Sequence, residues 1–206
     1  VCLEKEPRHR YASAGALAGK MARAEIKLTS DVGTDLTLTV DEQSPRINAG
    51  RVSDVTAPTG PSSVWLPAGE AYGCVKTGSA SGTLVVPYTN FRGLDIENLR
   101  MTFEDGALTG LTADTNGDKL QEYLDSTDDA TKQVSVVDFG LNPHSRTPEG
   151  SRVYSWEMGG MVTVGLGNNT WAGGDNLAEG EFTVHVSGLT ATVNGEKVVE
   201  GGVLVE

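Results

Sequence analysis

Histidine, cysteine and basic side chains are scarce in this 206-residue chain: three histidines, two cysteines, and 16 lysines and arginines against 28 aspartates and glutamates. Each shortage excludes something. A net charge of −12 repels phosphate backbones and anionic lipid surfaces, so neither nucleic acid nor a membrane is expected as a partner. Cys2 and Cys74 stand far apart, with no CxxC and no Cys/His cluster, which excludes a disulfide framework and a structural zinc site. A reducing cytoplasm is the compartment expected from that cysteine usage. No apolar run reaches the length of a membrane span, and residues 1–8 lack the charge order and apolar core of a signal peptide.

What is present is an ordinary globular composition, 38% hydrophobic and 21% charged, long enough for one sizeable core or two small ones. Residues 11–24 read as an alanine-rich helix with Ser13 as its cap, which sets residues 1–24 apart as an N-terminal helical extension. Residues 2–14 resemble the tail of bacterial serine/threonine kinases, but no glycine-rich loop, HRD or DFG follows, so the segment reads as an appendage.

From Glu25 the period changes to two. Ile26, Leu28, Leu36, Leu38 and Val40 alternate with polar residues, and Gly33-Thr34 suggests a hairpin between them. Residues 41–63, rich in Pro, Gly, Ser and Asp, read as a long ordered loop or a module boundary. Residues 82–86, 99–103 and 107–111 read as strands, the last two joined at Asp105-Gly106. Residues 119–124 read as a helix opened by Asn116-Gly117-Asp118. Residues 134–139 read as a buried strand, because β-branched side chains run almost continuously there. Strands over 161–166, 182–186 and 190–193 follow, with a tight Asn194-Gly195 turn. The expected fold of residues 25–206 is α+β and mainly β, a curved mixed or antiparallel sheet with two or three short helices.

Five segments occur in order: Thr29-Ser30-Asp31-Val32-Gly33-Thr34-Asp35-Leu36-Thr37, Leu66-Pro67-Ala68-Gly69-Glu70, Phe139-Gly140-Leu141-Asn142-Pro143, Val164-Gly165-Leu166-Gly167-Asn168-Asn169 and Val193-Asn194-Gly195. Their order and spacing resemble the C-terminal catalytic half of the M29 metallopeptidases, the aminopeptidase T type. The resemblance implies two metal ions that activate water, held by converging carboxylates and imidazoles. The glutamate of the family's Pro-Ala-Gly-Glu turn matches Glu70, and a second glutamate falls on Asp138. The family's histidine falls on Thr163, and its His-x-Asp pair falls near Glu181 and Thr183. Its tyrosine has no counterpart after Asn169, where Trp171 is the nearest aromatic. Two carboxylates without imidazoles do not hold a dizinc or dicobalt pair. The resemblance therefore implies a peptidase frame that has lost its metals and its activity.

The function expected on this basis is a non-catalytic peptide-binding protein, a pseudoenzyme on an aminopeptidase-like scaffold. It would resemble the peptide-binding proteins of biosynthetic clusters for ribosomally made, modified peptides (RiPP natural products such as crocagin). Its partners would be a precursor or leader peptide and the modifying enzymes of the same pathway, with a homodimer implied by the M29 resemblance. The chain's length fits, since it lacks the N-terminal domain of full-length M29 enzymes. No catalytic residue, metal or cofactor is expected. The peptide cleft would be lined by Glu70, Asp138, Asn142, Thr163, Asn168, Asn169, Trp171 and Glu181. The alternative is a metal-dependent aminopeptidase in which Glu70, Asp138, Glu181 and Asp175 hold manganese or magnesium.

Plainer readings stand beside these. A Pro-x-Gly-Glu turn is often only a turn, and Asp138 inside an apolar strand could be a hydrogen-bonded structural carboxylate. His9, His144 and His185 miss the ligand positions, and His185 reads as a strand-face histidine. Trp65 and Trp156 read as core or cleft wall, whereas Trp171, in a glycine/asparagine loop, is better placed to touch a ligand. An interaction domain with an accidental resemblance would leave Glu70, Asp138 and Thr163 scattered; a true one would make them converge.

Overall fold

The computed structural model describes residues 7–51, 65–152 and 154–205, with side chains from residue 14 onward. Cys2, the side chain of His9 and most of the loop expected over 41–63 lie outside the described residues. Helix α1 (Pro7–Met21) starts earlier than its alanine pattern suggests, so Ser13 sits inside it rather than at its cap. Leu17, Ala18 and Met21 from its last turns join the main core.

A hairpin of β1 (Glu25–Thr29) and β2 (Asp35–Thr39) follows, with Ile26, Leu28, Leu36 and Leu38 buried as their alternation requires. Next come β3 (Arg46–Asn48), β4 (Glu70–Cys74), β5 (Ser81–Phe91), β6 (Leu94–Glu104) and β7 (Ala107–Thr112). The turn between β6 and β7 is Asp105-Gly106, with φ of 48° and 82°, the left-handed pair that a two-residue hairpin needs. Helix α2 (Gly117–Asp125) buries Leu120 and Leu124, four residues apart on one face. The chain then runs through β8 (Val134–Gly140), β9 (Val162–Gly167), β10 (Glu181–Val186), β11 (Thr190–Val193), β12 (Glu196–Glu200) and β13 (Val203–Leu204).

These strands form two sheets. The larger runs β13-β12-β11-β1-β2-β5-β6-β7 and the smaller β10-β9-β8-β4-β3. All strand pairings in both are antiparallel, so of the two sheet types left open by the sequence the antiparallel one is found. One hydrophobic cluster joins Leu28, Leu38, Leu84 and Met101 of the larger sheet to Val137, Phe139, Val164 and Val184 of the smaller. Among the described residues, no helix is long and apolar enough to cross a membrane.

Candidate active site

The site is built on the other face of the smaller sheet. Successive side chains of a strand point to opposite faces, so the residues between the core positions must face away from the core. Strand register aligns them: Arg46 pairs Tyr72, Tyr72 pairs Asp138, Asp138 pairs Thr163, and Thr163 pairs His185. A single polar row thus crosses all five strands. Glu70 lies two residues before Tyr72 on β4, and Gly165 and Thr183 lie two residues from Thr163 and His185, on the same face.

Glu70 is presented by the turn that the sequence singles out. Gly69 there has φ of 116°, and a Cβ on it would lie 3.0 Å from the Asn142 side chain, so glycine is required on two counts. Asn142 braces the turn by donating from Nδ2 to the Ala68 carbonyl at 2.8 Å. A second crossing occurs at Gly140, where a Cβ would sit 2.1 Å from the Met158 carbonyl oxygen and 2.3 Å from that of Trp156. The backbone of residues 156–158 therefore lies directly on the end of β8. It delivers Trp156 and Glu157 to the site.

Above this face lies a cavity of about 350 Å³. Its floor is made by Glu70, Asp138, Thr163 and Gly165, and its walls by Trp65, Tyr72, Trp156 and Trp171. The rings touch in a continuous arc: Trp65 lies 6.0 Å from Tyr72, 6.5 Å from Trp156 and 6.1 Å from Trp171, and Tyr72 lies 5.9 Å from Trp171. Edge and tilted contacts at such spacings are favourable aromatic geometry. Trp65 also donates its indole N–H to Glu70. Trp171 is half exposed and is anchored by its indole N–H to the Asn168 carbonyl at 3.2 Å.

Of the eight residues expected in a cleft, Glu70, Asp138, Thr163, Asn168, Trp171 and Glu181 line this cavity. Asn142 and Asn169 do not; besides its bond to Ala68, Asn142 accepts from the His144 N–H at 2.9 Å, and Asn169 donates to the Ser135 carbonyl at 3.1 Å. Both hold loops in place. Glu70, Asp138 and Thr163 converge rather than scatter.

The electrostatics are dominated by three buried carboxyls. Glu70, Asp138 and Glu157 are 2%, 6% and 1% exposed, and among the described residues Glu70 Oε2, Asp138 Oδ1 and Glu157 Oε1 have no hydrogen-bond partner. Burial raises Glu70 to about 7 against the Trp65 bond, which works the other way, and the Glu157 charge adds to the rise. Burial also raises Asp138 well above the usual carboxylate range, reinforced by the Glu70 charge. The Glu70 and Asp138 carboxyls face each other, and a hydrogen bond between them requires one to carry a proton. Across the row, His185 Nδ1 and Thr163 Oγ1 are 2.8 Å apart, and burial pushes the imidazole down to about 4. His185 is thus a strand-face histidine, as its alternation suggests, and it meets the edge of Trp156 at 5.5 Å.

Glu157 is the residue that sequence reasoning missed. It lies in an irregular segment with no periodicity, and only the crossing at Gly140 places it here. The one available signal was a glycine in an otherwise β-branched run, which marks close backbone approach.

The residues present do not fit a catalytic metal of either obvious kind. A paired-metal peptidase centre needs converging imidazoles, and a mononuclear iron centre commonly uses two histidines and a carboxylate. The row supplies His185 alone, engaged by Thr163. Among the described residues, no group of three or more His, Cys, Asp or Glu side chains is arranged to hold a metal ion. Asp175, the fourth ligand of the alternative reading, lies in a different hollow with Arg23, Glu42 and Lys76, so that carboxylate set is not assembled.

Comparison with known proteins places the fold and the family. Over 98% of its length this chain superposes on a 2,5-dihydroxypyridine dioxygenase from Pseudomonas putida KT2440, with a TM-score of 0.72 and 20% identity. It also superposes over 96% of its length on AmpT from Thermus thermophilus, with a TM-score of 0.70 and 15% identity. The chain spans 60% and 54% of those two proteins. No curated protein matches by sequence. The expected M29-like frame is therefore found at the level of fold, which the dioxygenase shares.

The family match reaches further and overturns the expected function. A family model described as NicX, 2,5-dihydroxypyridine 5,6-dioxygenase, matches residues 4–206. It points to an enzyme, against the reading of a peptide-binding pseudoenzyme of ribosomal-peptide biosynthesis and against its aminopeptidase alternative. The physical reason for the error is that missing peptidase ligands argue against one chemistry on this fold, not against every chemistry. The chain belongs to the NicX, 2,5-dihydroxypyridine 5,6-dioxygenase, family.

Proposed function

We propose that this chain forms the ring-binding and catalytic part of an enzyme acting on a small hydroxylated nitrogen heteroaromatic, the class named in its family's description. The supporting observation is the cavity itself: about 350 Å³, walled by Trp65, Tyr72, Trp156 and Trp171, with Glu70 and Asp138 on its floor. That volume is at the small end of ligand pockets and suits a single substituted ring. Indole and phenol faces stack on such a ring, while the floor carboxyls meet its hydroxyl and ring-nitrogen substituents. Glu70, raised to about 7, exchanges a proton with a ring hydroxyl near neutral pH. A cytoplasmic setting belongs to the same proposal, supported by the free, buried thiol of Cys74.

The test is direct. 2,5-Dihydroxypyridine should lose its ring absorbance on incubation with the protein and keep it in a protein-free control. The same ring should quench the fluorescence of the pocket tryptophans. Failure of the ring to bind at millimolar concentration would sink the proposal.

A further inference from the structure

The three unpartnered carboxyl oxygens remain to be explained. A buried ionised carboxylate without a donor is among the costliest groups a fold can carry, so such groups are paired or neutralised. A proton shared by Glu70 and Asp138 satisfies that pair but leaves Glu157, whose charge acts on both. Among the described residues, no lysine or arginine lines the cavity. Arg46, at the far end of the polar row, donates to the Ala172 carbonyl at 3.0 Å and packs against Gly173. Among the described residues, none of the ion pairs includes Glu70, Asp138 or Glu157.

Over these carboxyls stand two indole rings and a phenol in mutual contact, with Trp156 beside them. Aromatic faces carry negative potential and attract cations that shed water easily, and alkylated or ring nitrogens are the best examples. A neutral ring would be served by the walls alone. Buried acceptors beneath aromatic walls call for a positive charge that is also flat and apolar at its edges.

We infer that the pocket selects small organic cations, with a positively charged nitrogen seated between the Trp65, Tyr72, Trp156 and Trp171 walls and the Glu70 and Asp138 carboxyls. This rests on the ring-binding proposal and narrows it: the preferred ligand is a nitrogen heteroaromatic in cationic form. The cation replaces the proton held between the two floor carboxyls, and Glu157 strengthens the field from behind.

Tryptophan fluorescence titration of the full chain tests this with four probes: N-methylpyridinium, neutral anisole, anionic benzoate and tetramethylammonium. N-Methylpyridinium should bind at least about tenfold more tightly than anisole or benzoate, a ratio set by cation–π and buried-charge attraction. Glu70→Gln should cut the affinity for N-methylpyridinium about tenfold and leave that for anisole within about threefold. Asp138→Asn provides a second variant if Glu70→Gln fails to fold, as judged by its thermal melt. Equal or tighter binding of anisole overturns the cation preference and leaves the ring reading standing. Binding of tetramethylammonium but of no ring upholds the cation preference and overturns the ring reading. Binding of none of the four overturns both.

Discussion

The two faces of the five-stranded sheet share a backbone and differ in almost everything else. On one face Val137, Phe139, Val162, Val164, Phe182 and Val184 belong to the main core. On the other, their neighbours Asp138, Thr163, Thr183 and His185 carry charge, hydroxyls and an imidazole around the cavity. Along β4, β8 and β9 both faces are buried, so burial does not separate them there; only on β10 does the second face open, with Thr183 exposed. What separates them is what the buried groups find there. Apolar side chains find one another, whereas the carboxyls find aromatic edges and too few donors. Stability and chemistry are thus written on alternate residues of the same strands, and substitutions one position apart should have opposite consequences.

The largest effect is expected on the core face. Phe139→Ala should lower stability by about 3–5 kcal/mol, the usual cost of emptying an aromatic site in a well-packed core. Urea denaturation would show this as a lower midpoint, and a loss under 1 kcal/mol would mean that the core does not run between the sheets.

Its neighbour should behave in the opposite way. Burial raises Asp138 in the folded state, so the unfolded chain ionises first and stability falls as pH climbs from 3.8 towards the folded value. Asp138→Asn removes that loss because the amide carries no charge to bury, and its N–H₂ donates to the facing Glu70 carboxylate without a shared proton. It should therefore stabilise the fold by about 1–3 kcal/mol, more at pH 8 than at pH 4. Destabilisation at both pH values would mean that the hydrogen bonds of the carboxyl, including the proton shared with Glu70, outweigh the cost of burying it.

Glu70 and His185 sharpen the comparison within the polar face. Glu70 rises from 4.5 to about 7, so it withdraws stability as pH rises through that window. His185 falls from 6.5 to about 4, so the folded state holds fewer protons than the unfolded one, and stability grows as pH rises through that window. The slopes oppose each other between 4.5 and 6.5. With Asp138 declining through the same window, His185→Gln should give a melting temperature that declines more steeply with pH there than that of the parent chain, and Glu70→Gln one that declines less steeply. Parallel profiles for the two variants would contradict these assignments.

The smallest stability effect belongs to the rim. Trp171 is 51% exposed, and Trp171→Ala should cost about 1 kcal/mol through its contacts with Trp65 and Tyr72. Ring affinity should nevertheless fall about tenfold, because the same indole forms a wall of the cavity.

Much of the scaffold was legible because alternation is local. The hairpin of β1 and β2, the Asp105-Gly106 turn and the buried run of β8 all follow from residues within one or two turns of each other. Strand β4 was legible only as the turn that ends at Glu70. All five of its residues are buried, so it shows no alternation, and Gly73 is imposed by Val40, whose Cγ1 would lie 2.7 Å from an added Cβ. Six of the eight residues singled out through the resemblance to M29 peptidases line the cavity, while the use expected for it is overturned by the family match. AmpT and the dioxygenase superpose on this chain about equally well, with TM-scores of 0.70 and 0.72, so likeness of fold does not choose between their chemistries.

By itself the sequence determined the mainly β fold, the core positions of the central strands, and the turn that holds Glu70. These depend on side-chain periodicity and on turn glycines, which act over a few residues. Only the tertiary structure decided that His185 stands across from Thr163 and that Asp138 faces Glu70. It also decided that Glu157 arrives from a distant loop over Gly140. Register across five strands and a backbone crossing are long-range facts, set by how the whole sheet packs. No local pattern records them.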